Sequence, residues 1–173
     1  EYKGNRIYDD DFMGGPFFNI GLNIFKELNI PILFNEKVEA DDCIAIYTRE
    51  KCSENKIYII ANDMDYLQLV NNNVMIINLK FKDLSQSQKW SGNADQDLFI
   101  KIVIGDKSDN IPPLFVKCGP KKALYYFNNK SDFEERLKKE NALENFERNK
   151  KLVDFKEIPI ILQEEFYSNF IIK

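Results

Sequence analysis

Two short apolar runs, "KIYIIA" (56–61) and "VMIINL" (74–79), constrain the fold most. Each is too short for a buried helix, rich in β-branched residues and closed by turn-forming residues, so each reads as a strand. Neither alternates polar with apolar residues, which predicts strands covered on both faces, as in a parallel sheet. Helical patterns surround them. After the break "DDDFMGGP", Pro16 suits a first helical turn, and Phe17, Phe18, Gly21, Ile24, Phe25 and Leu28 follow on one face. "IPILF" (30–34) reads as a further short strand, "VEADDCIAIYTREKC" as a helix, "DYLQLV" as a short helical piece and "ADQDLFIKIVIG" as another helix. "KKALYYF" opens one more, and two further helices are predicted within 131–173. Strands alternating with helices, then helices alone, predict an α/β fold with a mostly parallel central sheet followed by a helical end.

The 173 residues suffice for one domain or two small lobes. With no histidine, Ser-His-Asp and Cys-His catalysis and imidazole zinc sites are excluded. Cys43, Cys52 and Cys118 form no CxxC pair and read as reduced thiols. No apolar run reaches the roughly 18 residues of a membrane span; a soluble, intracellular protein is expected, and a monomer. Carboxylate, lysine and metal chemistry remain. The net charge of −4 disfavours nucleic acid on charge alone, but two bound divalent cations would add four positive charges and bring −4 to about zero.

Acidic residues gather where predicted elements begin or end: Glu39, Asp41 and Asp42 in "VEADD", Asp63 and Asp65 in "ANDMD", Asp106 and Asp109 in "GDKSDN". Taken singly, the first group reads as first-turn acids favoured by the helix dipole and the others as turn residues; Asp9, Asp10 and Asp11 read as a solvated run. Taken together, the seven have another reading. Asp63 and Asp65 follow the carboxyl end of a strand, the edge at which open α/β sheets bind ligands. Asp106 and Asp109 share a face if helical there, as do Glu39 and Asp42. Seven carboxylates at one edge could not all stay ionised without cations, and an oxygen-only set selects Mg²⁺ or Mn²⁺ over zinc.

These segments, in this order, resemble the 5′-nucleases: flap endonucleases, bacteriophage 5′-exonucleases and the 5′–3′ exonuclease domain of DNA polymerase I. "EYKGNR" is similar to the family's YKxxR, "VEADD" to EADD, "ANDMDYLQLV" to its strand–DxD–QL segment, "GDKSDNIPP" with "CGPKKA" to GDxSDNIPG with GxGxKxA, and "RNKKLVDF" to its late "N..L" helix. The resemblance covers nearly the whole chain. It implies a PIN-like α/β nuclease core over 1–96 and a helix–three-turn–helix with C-terminal helices over 97–173. It also implies a structure-specific 5′-nuclease acting on DNA flaps, nicks or 5′ ends with two Mg²⁺ ions, Mn²⁺ able to substitute. Glu39, Asp41 and Asp42 would hold the first metal, Asp63 would lie near both, and Asp65, Asp106 and Asp109 would hold the second. Lys3 and Arg6 would face the scissile phosphate; Gly119, Lys121 and Lys122 would grip duplex backbone, in a turn that binds K⁺ in the family. A non-catalytic branched-DNA-binding protein of the same fold is the alternative. The chain departs from the pattern at Pro113 and Lys117, where glycine is usual, at Asn62, where Ser or Thr is common, and over 7–35, which is short and acidic. It begins after the position of two further family aspartates, so a missing N-terminal strand is expected.

Overall fold

The computed structural model describes residues 2–4, 14–35 and 37–168; Arg6 and Asp9 to Asp11 lie outside them. The two strand expectations hold: β1 (Ile57–Ile60) and β2 (Val74–Ile77) pair in parallel, Ile57 opposite Val74 and Ile60 opposite Ile77. The connection, residues 61–73, has about the dozen residues a parallel crossover needs and carries a 3₁₀ turn, Met64–Leu69, instead of an α-helix.

The helices run α1 (Gly14–Glu27), α2 (Ala40–Lys51), α3 (Ala94–Ile104), α4 (Pro120–Asn128), α5 (Lys130–Lys139), α6 (Leu143–Val153) and α7 (Ile160–Ser168). Three helices thus follow α4, where two were expected. Asn141, at φ 49, closes the α5 region, and Pro159, which cannot donate a backbone bond, precedes α7. The expected strand "IPILF" does not form. Asn29 sits at φ 54 and the Ile30 amide donates to the Phe25 carbonyl, so the start of this stretch closes α1; Pro31 then removes a ladder donor.

Two cores result. In the first, Cys43, Ala45 and Ile46 of α2 meet Ile59 and Ile76 of the sheet, Tyr66 and Leu67 of the 3₁₀ turn, and Phe155 and Phe166 from the C-terminal end. The second gathers around Phe133 of α5, whose ring lies 4.9 Å from Phe99, 5.4 Å from Phe146, 5.9 Å from Tyr126 and 6.0 Å from Phe115. The sheet is covered on one face only, against expectation: Ile59 and Ile76 are buried while Tyr58 and Ile60 are 58% and 64% exposed. Likewise α1 forms, yet none of its residues is buried and Phe17 is 73% exposed. Among the described residues nothing packs on these apolar faces closely enough to bury them.

The passage from α3 to α4 fixes the geometry between the cores. Gly105 ends α3 at φ 73, ψ −175, a conformation open essentially to glycine. A Cβ there would stand 2.3 Å from the Ile111 carbonyl oxygen and 2.7 Å from the Pro112 carbonyl carbon. The chain folds back through a two-bond bridge, Asp106 N–H to Ile111 at 2.9 Å and Ile111 N–H to Asp106 at 2.7 Å. Asn149, fully buried on α6, donates to the Ile102 and Pro112 carbonyls at 3.0 and 2.9 Å. Among the described residues no helix is long and apolar enough to cross a membrane.

Candidate metal and nucleic-acid site

Five of the seven carboxylates, Glu39, Asp41, Asp42, Asp65 and Asp109, line one cavity of about 290 Å³ together with Tyr2. Each arrives from an element end. Glu39 is the N-cap position of α2 but makes no capping bond with its side chain. That carboxylate instead takes the Lys3 ammonium at 2.5 Å and the Tyr2 hydroxyl at 3.4 Å. The Lys3 amide donates to the Asp109 carbonyl at 2.9 Å, which ties the turn at 2–4 to the "GDKSDN" segment. Burial opposes the charge on Lys3, but its bonds to Glu39 and Tyr2 outweigh that and hold the ammonium above the usual lysine range.

Asp63 and Asp106 complete the set at its margin. Asp63 caps the 3₁₀ turn, accepting the Asp65 amide at 2.9 Å, so the turn reading of that residue is satisfied as well. Asp65 and Asp106 meet at one cation that sequence reasoning missed: Lys101 of α3, 2.6 Å from Asp65 and 2.9 Å from Asp106. Its signal was faint, a single charge inside "LFIKIVIG". The two acids respond differently to sharing it. Burial raises Asp65 above the ordinary carboxylate range in spite of Lys101. Burial also pushes Asp106 upward, but the Ser108 hydroxyl and amide, at 2.5 and 2.8 Å, and Lys101 outweigh it and hold the group down to about 2. Asp42 is raised by burial and then by the charge of Asp41, with Glu39 adding to it.

The arrangement concentrates anionic oxygen and has already drawn two ammonium groups to it. An all-oxygen donor set, repulsion at Asp42 and a cation bridging Asp65 and Asp106 fit a divalent metal in donor chemistry and in charge. As they stand, no three of the described acidic side chains converge on one point closely enough to hold an ion together. The bridge to Lys101 would therefore have to give way for Asp65 and Asp106 to ligate a metal.

Gly119, Lys121 and Lys122 stand apart, at the start of α4. Gly119 is the N-cap; its carbonyl accepts the Lys122 and Ala123 amides, both at 3.0 Å, and a Cβ at Gly119 would meet no atom within 4 Å. The fold thus does not demand glycine there, and its place leaves the backbone open to close approach. Lys121 and Lys122 are exposed, with the Lys122 ammonium 5.9 Å from the Tyr126 ring centre. In this turn the Val116 carbonyl accepts from the Arg136 guanidinium at 3.1 Å.

Comparison with known proteins identifies the family. The sequence model of the 5′-3′ exonuclease N-terminal resolvase-like domain matches residues 1–98, more than half of the chain. The chain belongs to this family of 5′-3′ exonucleases. The 5′-3′ exonuclease of Buchnera aphidicola subsp. Acyrthosiphon pisum is 34% identical over 161 residues, 88% of this chain. That of Mycoplasmopsis pulmonis is 30% identical over 190 residues, 97% of this chain. The chain spans only 52% and 63% of those relatives. A variant of the bacteriophage T5 flap endonuclease, solved as a pseudo-enzyme-product complex with DNA and metal ions, shares the fold. Its TM-score is 0.71 at 19% identity, covering 98% of this chain and 75% of that one.

Proposed function

We propose that the chain carries the carboxylate centre and the duplex-gripping turn of a divalent-metal-dependent, structure-specific 5′-nuclease that hydrolyses DNA phosphodiesters at flaps, nicks or 5′ ends. The observation that carries this reading is the shared cavity: five carboxylates from three separate segments, with Lys3 and Lys101 already drawn to the acidic set. A DxD nucleotide-sugar site at Asp63 and Asp65 would leave Asp106, Asp109 and the lysines of α4 without a role.

Glu39, Asp41 and Asp42 would hold one divalent cation and Asp65, Asp106 and Asp109 a second, Mg²⁺ or Mn²⁺, with Asp63 near both. Such ions, when bound, supply activation of water and charge neutralisation at the leaving oxygen. Lys3, now paired with Glu39, and Arg6 would turn to the scissile phosphate and offset its developing charge. Gly119 would let the backbone approach a phosphate, while Lys121 and Lys122 would contact the duplex backbone without reading bases. The test is cleavage of a fluorescent 5′-flap duplex in Mg²⁺, in Ca²⁺ and in excess EDTA. Cleavage is expected in Mg²⁺ or Mn²⁺ alone, with Ca²⁺ supporting binding only; turnover in EDTA would sink the reading.

The non-catalytic alternative draws on the absence of a ready three-carboxylate cage among the described residues. It requires duplex binding that Mg²⁺ leaves unchanged, with no cleavage at any metal concentration.

A further inference from the structure

The turn between α3 and α4 holds a strained residue beside a fixed charge, and the cleavage chemistry uses neither. Lys117 stands at φ 54, a left-handed conformation that glycine takes freely and lysine does not. The carbonyl of the preceding peptide, Val116, is held from α5 by Arg136. Nη2 of that guanidinium donates to Val116 at 3.1 Å, Nη1 to the Tyr126 hydroxyl at 3.0 Å and Nε to Glu140 at 2.7 Å. Its central carbon lies 4.3 Å from the centre of the Phe115 ring, and only 17% of the side chain is exposed. The same turn is held at its other end by Asn149 on the Pro112 carbonyl. A guanidinium that is always charged, stacked on an aromatic ring and aimed at a turn carbonyl supplies what a bound monovalent metal ion would supply: fixed positive charge on the carbonyl side of the turn.

We infer that Arg136 is a built-in cation for this turn, a positioning residue that holds the Val116–Lys117 peptide so that α4 presents Lys121 and Lys122 without help from potassium. The inference rests on the reading of those lysines as contacts to a DNA backbone. The stacking on Phe115 also couples the turn to the aromatic core, so its shape is set by α5 and not by solution ions.

The experiment has two arms. In the first, binding of the flap duplex in Ca²⁺ is measured in potassium, sodium and tetramethylammonium chloride at equal ionic strength, which holds counterion release constant. Wild type is expected to bind alike in all three. Arg136→Met, which keeps an apolar stem on Phe115, should bind about tenfold more weakly, the scale of one charge-assisted hydrogen bond, and Arg136→Lys should recover part of that loss. In the second arm, hydrogen exchange of the DNA-free protein is followed. Arg136→Met should speed exchange at residues 116–119 while the first core keeps its protection, and adding Lys117→Gly should restore part of it. Tyr126→Phe, which removes only the hydroxyl, should give a weaker version of the same pattern and serves if Arg136→Met does not fold. A fivefold or greater loss of wild-type affinity on exchanging potassium for sodium would overturn the inference, as would unchanged exchange at 116–119 in both Arg136→Met and Tyr126→Phe. A wild-type chain that binds the duplex in none of the salts overturns the nucleic-acid reading, while the exchange arm still decides whether Arg136 holds the turn.

Discussion

In the carboxylate cavity, groups of like charge are brought together and left partly uncompensated; in the passage from Gly105 to α4, backbone carbonyls are tied down one at a time. Asp42 sits beside Asp41 and Glu39 with its carboxyl raised by burial and by their charge. Ile102, Pro112, Val116 and Gly119, by contrast, each give a carbonyl to a named donor. The difference teaches that the two regions answer to different demands. Under the proposed function a cation would relieve the repulsion at the cavity, and its binding would then contribute to stability by mass action. The turn must keep one shape whether or not anything is bound. Substitutions in the turn should therefore unfold the protein, and substitutions in the cavity should disable it.

The largest effect is expected at Gly105. Gly105→Ala puts a Cβ against backbone of Ile111 and Pro112 at a φ that L side chains rarely adopt. The expected loss is at least about 3 kcal/mol, combining a special backbone conformation with overpacking. Urea unfolding of the metal-free chain measures it; a midpoint like that of wild type would break the comparison from the turn side.

Next come Asp106→Asn and Asp109→Asn, each expected to cut single-turnover cleavage about 100-fold or more, near 2.7 kcal/mol of barrier. If these are only turn residues, Asn serves as well and activity persists. Stability separates the acids of the set further. Asp106 is paired with Lys101 and held down to about 2. A depressed acid contributes stability above its unfolded pKa, and that contribution is lost as pH falls from about 4 toward 2; Asp106→Asn should remove it. Asp42 is raised, so its charge costs stability at neutral pH and the cost disappears as pH falls through its folded pKa. Asp42→Asn should therefore leave the metal-free chain as stable as wild type or more so at pH 7. Thermal unfolding of both variants from pH 2 to 7 checks the opposite signs.

Asn149→Leu tests the turn with no charge involved. The buried Ile102 carbonyl and the part-buried Pro112 carbonyl would lose their donor, and Arg148 would lose its bonds to the Asn149 amide oxygen. About 2–3 kcal/mol should be lost, the range for leaving buried polar groups unsatisfied. Cleavage by the fraction that stays folded should be nearly normal. A cleavage defect without a stability defect would mean that the two regions are not separate.

What the sequence made readable follows the same division. Acids at element ends could be placed because strand and helix periods locate the ends, and "VEADD", "ANDMD" and "GDKSDN" each sit at one. Their partners could not be placed. Lys101 comes from inside an apolar run and reaches Asp65 from 36 residues away, and no local pattern records that. Arg136 lies in the charged run "EERLKK", where no local pattern marks it out, while in the fold it is largely buried against Phe115. The sheet departed in the other direction: continuous apolar runs predicted coverage of both faces, but burial depends on what packs above, and among the described residues nothing covers Tyr58 or Ile60; α1 forms as expected with Phe17 of its apolar face left exposed. "IPILF" forms no strand because the left-handed Asn29 and the Ile30 amide serve the end of α1.

The smallest effect sharpens the comparison most, because it falls on the turn's surface and not on its frame. Lys121 and Lys122 are exposed at the first turn of α4 and hold no part of either core. Lys121→Ala or Lys122→Ala should leave the unfolding midpoint within about 0.5 kcal/mol of wild type, as surface changes usually do. If each lysine meets a phosphate, each replacement releases about one counterion fewer, so the slope of log affinity against log salt should shrink by about 1 for duplexes of any sequence. Lys122 packs toward the Tyr126 ring, and Lys121 has no such contact given by the structure, so of the two only Lys122→Ala should also perturb the aromatic core, visibly in near-ultraviolet dichroism. Titrations of two unrelated flap sequences at several salt concentrations decide the matter. Equal losses on both sequences with a reduced slope fit backbone contact. A loss confined to one sequence, with the slope intact, would move these lysines from positioning to base recognition. An unchanged affinity on both would leave α4 with no role in binding and remove the turn from the comparison altogether.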